Sequence, residues 1–226
     1  MVIIKQLLSK AQVISFRDNL SHAPWLDGKG TAMGMAASVK QNTQANPDDP
    51  IVKQLTNQLL GIFGAHPKLV SAALPHRIFP PCFNRYTKDE SYGFHVDAAI
   101  MRMPNSQDVL RSDMSMTTFL SDPDSYEGGE LVIQTEFGEQ KIKGQEGDAV
   151  LYQSSSLHKV TPVTKGQRIA AITWMQSLVP NAHTRDTLYQ LDQCIQTLQQ
   201  NPNIEREELD RLHHVYHNLI RQNVLI

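Results

Sequence analysis

Two hydrophobic periods divide the chain. Leu7, Leu8, Val13, Ile14 and Phe16 lie in a polar background that ends near Ser21 and predict an N-terminal helical segment. Residues 50–64 repeat the signal: Ile51, Val52, Leu55, Leu59, Ile62 and Phe63 fall three and four positions apart. Pro47-Asp48-Asp49-Pro50 in front of them is a helix start signal. Between the two helices, the glycine-rich stretch 28–34 predicts a loop or hairpin. From Ile78 onward short apolar stretches alternate with turn residues, the pattern of a sandwich or barrel. Strands are predicted at 78–85, 93–96, 115–121, 130–135, 140–142, 149–153, 159–162 and 167–174. Glu136-Phe137-Gly138-Glu139 reads as a hairpin turn, and Asp122-Pro123-Asp124 and Glu127-Gly128-Gly129 as further turns.

Past Pro180-Asn181 the helical period returns. Leu188, Leu191, Ile195 and Leu198 form one stripe, Asn201-Pro202-Asn203 breaks it, and Leu209, Leu212, Val215, Tyr216, Leu219 and Ile220 form a second. Helices, then a run of strands, then helices predict an α+β chain. Its core is a double-stranded β-helix (jelly roll) with N-terminal helices packed on it and a C-terminal helical hairpin. The expected division is a domain over 1–180, with the jelly roll at about 78–178, and a helical appendage over 181–226 that is too small to fold alone. Its last apolar positions, Val215, Leu219 and Leu225-Ile226, either cap the barrel or serve a homo-oligomer.

Charge and cysteine narrow the class. A formal net charge of −2 argues against a nucleic-acid partner. Two distant cysteines, Cys82 and Cys194, make no disulfide framework. The first residues lack the basic and apolar regions of a signal peptide, and no apolar run approaches the ~20 residues that span a bilayer. The expectation is a cytoplasmic protein with no membrane contact.

Chemistry enters at His95-Val96-Asp97. In a strand, residues two apart share a face, so an imidazole and a carboxylate can reach one divalent ion while Val96 turns into the packing. A third ligand must come from elsewhere, and His158 is the best placed. It follows the 149–153 strand and the short Ser154-Ser155-Ser156-Leu157 connection, which puts it on the opposite sheet. Two His and one carboxylate are the facial triad of non-haem Fe(II) oxygenases. Arg168 lies ten positions past His158, with Pro162-Val163-Thr164-Lys165-Gly166 as the reversal. It is either a surface arginine at a strand start or a guanidinium directed into the barrel. A buried guanidinium needs a partner, and a dicarboxylate co-substrate offers one.

Five runs, Asn84-Arg85-Tyr86, Tyr92-Gly93-Phe94-His95-Val96-Asp97, Tyr126-Glu127-Gly128-Gly129-Glu130-Leu131, His158-Lys159-Val160-Thr161-Pro162-Val163 and Gly166-Gln167-Arg168, together resemble the Fe(II)/2-oxoglutarate-dependent dioxygenases. The match is nearest to the bacterial PKHD-type (prolyl/lysyl hydroxylase-like) enzymes associated with iron uptake, and it spans the whole chain. The resemblance implies His95, Asp97 and His158 as iron ligands and Arg168 as the anchor for the distal carboxylate of 2-oxoglutarate. Tyr86 matches a position where such enzymes often place a tyrosine against that carboxylate, and is otherwise a core aromatic. Thr118 is expected to line the same pocket, whereas Trp174 is expected in the core. The implied reaction hydroxylates an unidentified small-molecule or polypeptide substrate and releases succinate and CO₂, with L-ascorbate as reductant. Asp97 implies hydroxylation, since the related halogenases lack that carboxylate. The competing reading is a cupin-like metal or 2-oxoglutarate sensor without turnover. His213 and His217, four apart on a predicted helix, read as a solvated face, and the 28–34 loop is expected beside the site.

Overall fold

All six residues of the strand Met114–Phe119 are buried. A strand with no wet face must lie between two layers. The computed structural model, which describes residues 1–31 and 34–225, shows both layers. The major sheet runs in the order Val2–Ile4, Ala149–Gln153, Met114–Phe119, Arg168–Ser177, Cys82–Tyr86, Thr43–Ala45 and Trp25–Asp27, with Pro75–Ile78 also paired to Arg168–Ser177. The minor sheet runs Gly138–Ile142, Leu131–Thr135, His158–Val160, Ser91–His95 and Lys40–Gln41. All of these pairings are antiparallel.

Side-chain alternation sorts the major sheet into two faces. Phe83, Met114, Met116, Leu151, Ala171 and Met175 meet the helices in one apolar core. The helix Lys10–Ser21 contributes Val13, Phe16 and Leu20, and Pro50–Ala65 contributes Val52, Leu55, Leu59 and Phe63. Each such side chain gains roughly 1.5–3 kcal/mol from leaving water. Capping fixes where both helices begin. Ser9 and Gln12 form a reciprocal capping box, and the Asp49 carboxylate accepts from the Ile51 and Val52 amides. The opposite face of the sheet packs Phe119, Val150 and Tyr152 against Leu131 and Ile133 of the minor sheet. The space between the sheets is the barrel interior of the expected jelly roll.

Several boundaries differ from the sequence reading. The first helix begins at Lys10, so Leu7 and Leu8 are not helical but buried in the turn before it, behind Val2–Ile4, an edge strand on Ala149–Gln153. The single strand expected at 78–85 is two, Pro75–Ile78 and Cys82–Tyr86, because Pro80-Pro81 have no N–H to continue a ladder. A hairpin of Ile100–Arg102 on Val109–Arg111 was not foreseen. In the 28–34 stretch, Gly28–Thr31 forms a 3-10 turn, and Ala32 and Met33 lie outside the described residues.

The C-terminal helices are Ala182–Leu198 and Arg206–Asn223. They pack Leu188, Ile195 and Tyr216, with Leu191, Leu212, Leu219 and Ile220, around Leu74 and Val179. Ser71 Oγ donates to Asp192, and Tyr189 joins the main core, so the pair sits directly on the body. Leu219 therefore caps, while Val215 and Leu225 stay exposed; Ile226 lies outside the described residues.

Candidate active site

His95 ends one minor-sheet strand and His158 begins the next, and the two are register partners. Asp97 lies two residues past His95. Its two oxygens stand 3.8 Å from His95 Nε2 and 3.8 Å from His158 Nε2. One ligand atom from each residue falls within 4.8 Å of the others, a group able to hold one metal ion.

Local hydrogen bonds aim these atoms. His95 Nδ1 meets the Gly93 carbonyl at 2.9 Å, and His158 Nδ1 meets the Ser156 carbonyl at 2.9 Å. A carbonyl only accepts, so each Nδ1 carries the proton and each Nε2 lone pair faces Asp97. Asp97 Oδ2 accepts from Ser115 Oγ at 2.5 Å, and Ser115 Oγ lies 2.8 Å from Ser154 Oγ. Tyr92 stacks on His95 with centroids 3.6 Å apart and planes 13° off parallel. Tyr152 meets His158 edge-on at 5.1 Å. Burial, and then the neighbouring His158, pushes the His95 imidazole down to about 4. It is neutral at pH 7, the form that ligates a metal.

Arg168 is 1% exposed and faces Tyr86 across the ladder. Its guanidinium carbon lies 5.2 Å from the Tyr86 ring centroid and 5.8 Å from that of Phe119. None of its three nitrogens makes a hydrogen bond within the described residues. Burial pushes the Tyr86 hydroxyl up to about 12, so it stays protonated and able to donate. Burial likewise raises Tyr126, and the nearby Arg168 guanidinium opposes the rise. The turn at Glu127–Gly128 brings this region together. Gly128 has φ +73°, and a Cβ there would stand 2.0 Å from the Pro162 carbonyl oxygen; a Cβ on Gly129, φ +65°, would stand 3.0 Å from Arg168 Cδ. Only glycine fits either approach.

His95, Asp97, His158, Arg168 and Tyr86 line one cavity of about 400 Å³. Two imidazoles and a carboxylate suit an Fe(II) that keeps positions for a chelating co-substrate. A buried guanidinium without a hydrogen bond among the described residues suits the far carboxylate of a dicarboxylate. On both counts the residues present fit Fe(II) and 2-oxoglutarate.

Two expectations are corrected. Thr118 does not line the cavity; Thr117 does, because neighbouring strand residues point to opposite faces and Thr118 turns away. Trp174 is not core but cavity wall, on the same face of its strand as Arg168 and Ile172. Sequence reasoning also missed Lys40, Asn84 and Tyr152 as lining residues, and Ser115 as the Asp97 partner. The alternation of Ser115 and Thr117 along one strand was the available signal for Ser115; Lys40 had none nearby. Gly30 brings the 28–31 turn to the cavity, as expected of that loop. His213 and His217 have ring centroids 6.2 Å apart, and among the described residues no third ligand joins them.

Comparison with known proteins gives concordant matches. The model of the 2OG-Fe(II) oxygenase superfamily matches residues 81–176, and that of the PKHD-type hydroxylase C-terminal domain matches residues 183–223. A PKHD-type hydroxylase of Shewanella frigidimarina is 64% identical over 222 residues, covering 98% of each chain. One from Alteromonas mediterranea is 63% identical over the same share of each. The fold is similar to a Trichoplax adhaerens prolyl hydroxylase in complex with a hypoxia inducible factor peptide fragment, with TM-score 0.53, 14% identity, and 78% and 83% of the two chains covered. It is equally similar to HygX of Streptomyces hygroscopicus, solved with nickel, 2-oxoglutarate and hygromycin B, with TM-score 0.53, 14% identity, and 79% and 83% covered.

Proposed function

The chain belongs to the PKHD-type hydroxylases of the 2OG-Fe(II) oxygenase superfamily, and from that premise we propose that His95, Asp97 and His158 hold its iron while Arg168 holds 2-oxoglutarate. As a member it is an Fe(II)- and 2-oxoglutarate-dependent hydroxylase. One observation carries the residue assignment: the His-Asp-His group shares a cavity with a buried arginine whose nitrogens make no hydrogen bond among the described residues.

Each residue has a distinct task. The Nδ1–H bonds to Gly93 and Ser156 hold both imidazoles in the ligating tautomer. Asp97 supplies negative charge, and the Ser115 hydroxyl fixes its carboxylate. Arg168 pairs with the distal carboxylate of 2-oxoglutarate, and the protonated Tyr86 hydroxyl adds a donor beside it. Leu131, Val160, Ile172 and Trp174 form apolar wall that keeps water from the reacting groups. Bound Fe(II) supplies the redox chemistry that couples decarboxylation of 2-oxoglutarate to hydroxylation of a C–H bond.

The test is anaerobic titration of Fe(II) and 2-oxoglutarate. The wild type develops a weak visible metal-to-ligand charge-transfer band, and Asp97→Ala abolishes it. A wild type with no band and no succinate release overturns the assignment. A band without oxygen consumption, whatever the substrate, marks the sensor reading instead.

Wider context follows the same reading. The substrate is a polypeptide or a small molecule, the two kinds seen with the Trichoplax and Streptomyces proteins. Residues 1–180 are the catalytic unit and 181–226 an appendage, a division supported by the separate family match at 183–223. Two free cysteines suit the reducing cytoplasm. No helix among the described residues is long and apolar enough to cross a membrane. L-Ascorbate as reductant and a role in iron uptake rest on the family resemblance; succinate yield with and without ascorbate tests the first, and expression under iron chelation the second.

A further inference from the structure

The charges lining the cavity divide by task. Among the described residues, the charged side chains in its wall besides the two imidazoles are Lys40, Asp97, Arg102 and Arg168. Under the reading above, Asp97 goes to the metal and Arg168 to 2-oxoglutarate. Lys40 and Arg102 also line the cavity, and Arg102 Nη1 donates to Gln107 Oε1 at 3.2 Å. Both are cationic, and no further acidic side chain among the described residues lines the cavity.

They reach the cavity from separate parts of the chain. Lys40 belongs to the two-residue edge strand Lys40–Gln41, paired with Tyr92. It is 5% exposed, and its ammonium lies 5.3 Å from the Tyr92 ring centroid, beside the ring that stacks on His95. Arg102 sits on the exposed hairpin Ile100–Arg102, where Met101 also lines the cavity. The wall also carries apolar and aromatic side chains, among them Met101, Ile172 and Trp174.

We propose that the substrate carries an anionic group, a carboxylate or a phosphate monoester, held by Lys40 inside the cavity and by Arg102 at its rim. Its apolar part lies against Met101, Ile172 and Trp174. Attraction inside a cavity of low dielectric makes this a strong selector. A cationic substrate group, such as a lysine side chain, meets two like charges and is turned away. The inference rests on the assignment of Asp97 to the metal and Arg168 to 2-oxoglutarate.

Four probes of one shape but different charge test it: phenylacetate, phenyl phosphate, neutral phenylacetamide and cationic 2-phenylethylamine. Binding is measured by calorimetry to full-length protein loaded with Zn(II) and saturating 2-oxoglutarate, so that the metal and Arg168 are already engaged and no turnover occurs. An anion binds roughly tenfold or more tighter than the amide, as expected for a hydrogen bond to a charged group, and the amine binds least. Preference for phenylacetate identifies a carboxylate, and preference for phenyl phosphate a phosphate monoester. Lys40→Gln removes the preference and Lys40→Arg restores most of it. Arg102→Gln, on the exposed hairpin, halves it or more and serves if Lys40→Gln fails to fold. The proposal is overturned if the amide matches the anions, if the amine binds best, if no probe binds, or if the preference survives both charge-removing variants. A wild type that fails to bind 2-oxoglutarate instead defeats the assignment of Asp97 and Arg168; normal 2-oxoglutarate binding without an anion preference defeats this proposal alone.

Discussion

Arg168→Met separates what the guanidinium does for function from what it does to stability. Arg168 is 1% exposed, and its nitrogens make no hydrogen bond among the described residues. Taking a cation out of water costs several kcal/mol, and its contacts with the Tyr86 and Phe119 rings return only about 0.5–2 kcal/mol. Methionine is flexible and apolar and fills the same channel. The variant is therefore as stable as the wild type without ligand, or more stable by about 1–3 kcal/mol. At this chain length each kcal/mol moves the melting temperature by about 2–4 °C. The effect on 2-oxoglutarate is opposite. Losing a charge-assisted carboxylate pair worth about 3–4 kcal/mol weakens binding by two to three orders of magnitude. The assay is thermal unfolding of the Zn(II)-loaded protein with and without 2-oxoglutarate. At a hundredfold excess over Kd the ligand adds about 2.7 kcal/mol, so the wild type gains roughly 5–10 °C. Arg168→Met starts at or above the wild-type melting temperature and gains almost nothing. A variant that melts several degrees lower yet keeps the full 2-oxoglutarate shift refutes the reasoning, because Arg168 would then be a structural residue.

Other perturbations probe the supports of the site. Ser115→Ala removes the donor to Asp97. Metal affinity falls by about 10- to 100-fold, read by competition with a chelating dye, while melting of the metal-free protein changes little. Gly128→Ala forces a Cβ against the Pro162 carbonyl at φ +73°; it costs more than about 2 kcal/mol by denaturant unfolding, and an effect under about 0.5 kcal/mol would contradict so close an approach of the two segments. The metal-free protein is less stable at low pH because of His95. Burial and His158 lower its folded pKa from 6.5 to about 4. The unfolded chain therefore takes up a proton first as pH falls, so this contribution is complete above pH 6.5, declines between 6.5 and about 4, and is level below that. Urea unfolding at fixed pH values checks the window, and replacing His95 with Gln should flatten it.

The residues legible in the sequence share a physical property. His95 and Asp97 follow from their two-residue spacing, which needs only neighbouring positions, although Asp97 lies past the end of the strand Ser91–His95 and Val96 is exposed at the cavity rather than turned into the packing. His158 follows from the strand and short connection before it, and Arg168 from one reversal onto a strand, Arg168–Ser177, long enough for its period to show. Thr118 was placed wrongly for the same physical reason that made its strand easy to find. All of Met114–Phe119 is buried, so no wet face marks which side meets the cavity, and one step of register exchanges Thr118 for Thr117. Lys40 and Arg102 were illegible for another reason. Each stands on an element of two or three residues that is shaped by its strand partner, Tyr92 for Lys40 and Val109 for Arg102. Such short pieces have no period of their own. The metal and co-substrate groups lie within the sequence runs that carry the pattern, with His158 opening the strand His158–Val160 and Asp97 just past the end of Ser91–His95, while the charges assigned to the substrate lie outside those runs. The same asymmetry explains why the reaction type is readable from local pattern, while substrate choice becomes readable only when the cavity wall is assembled.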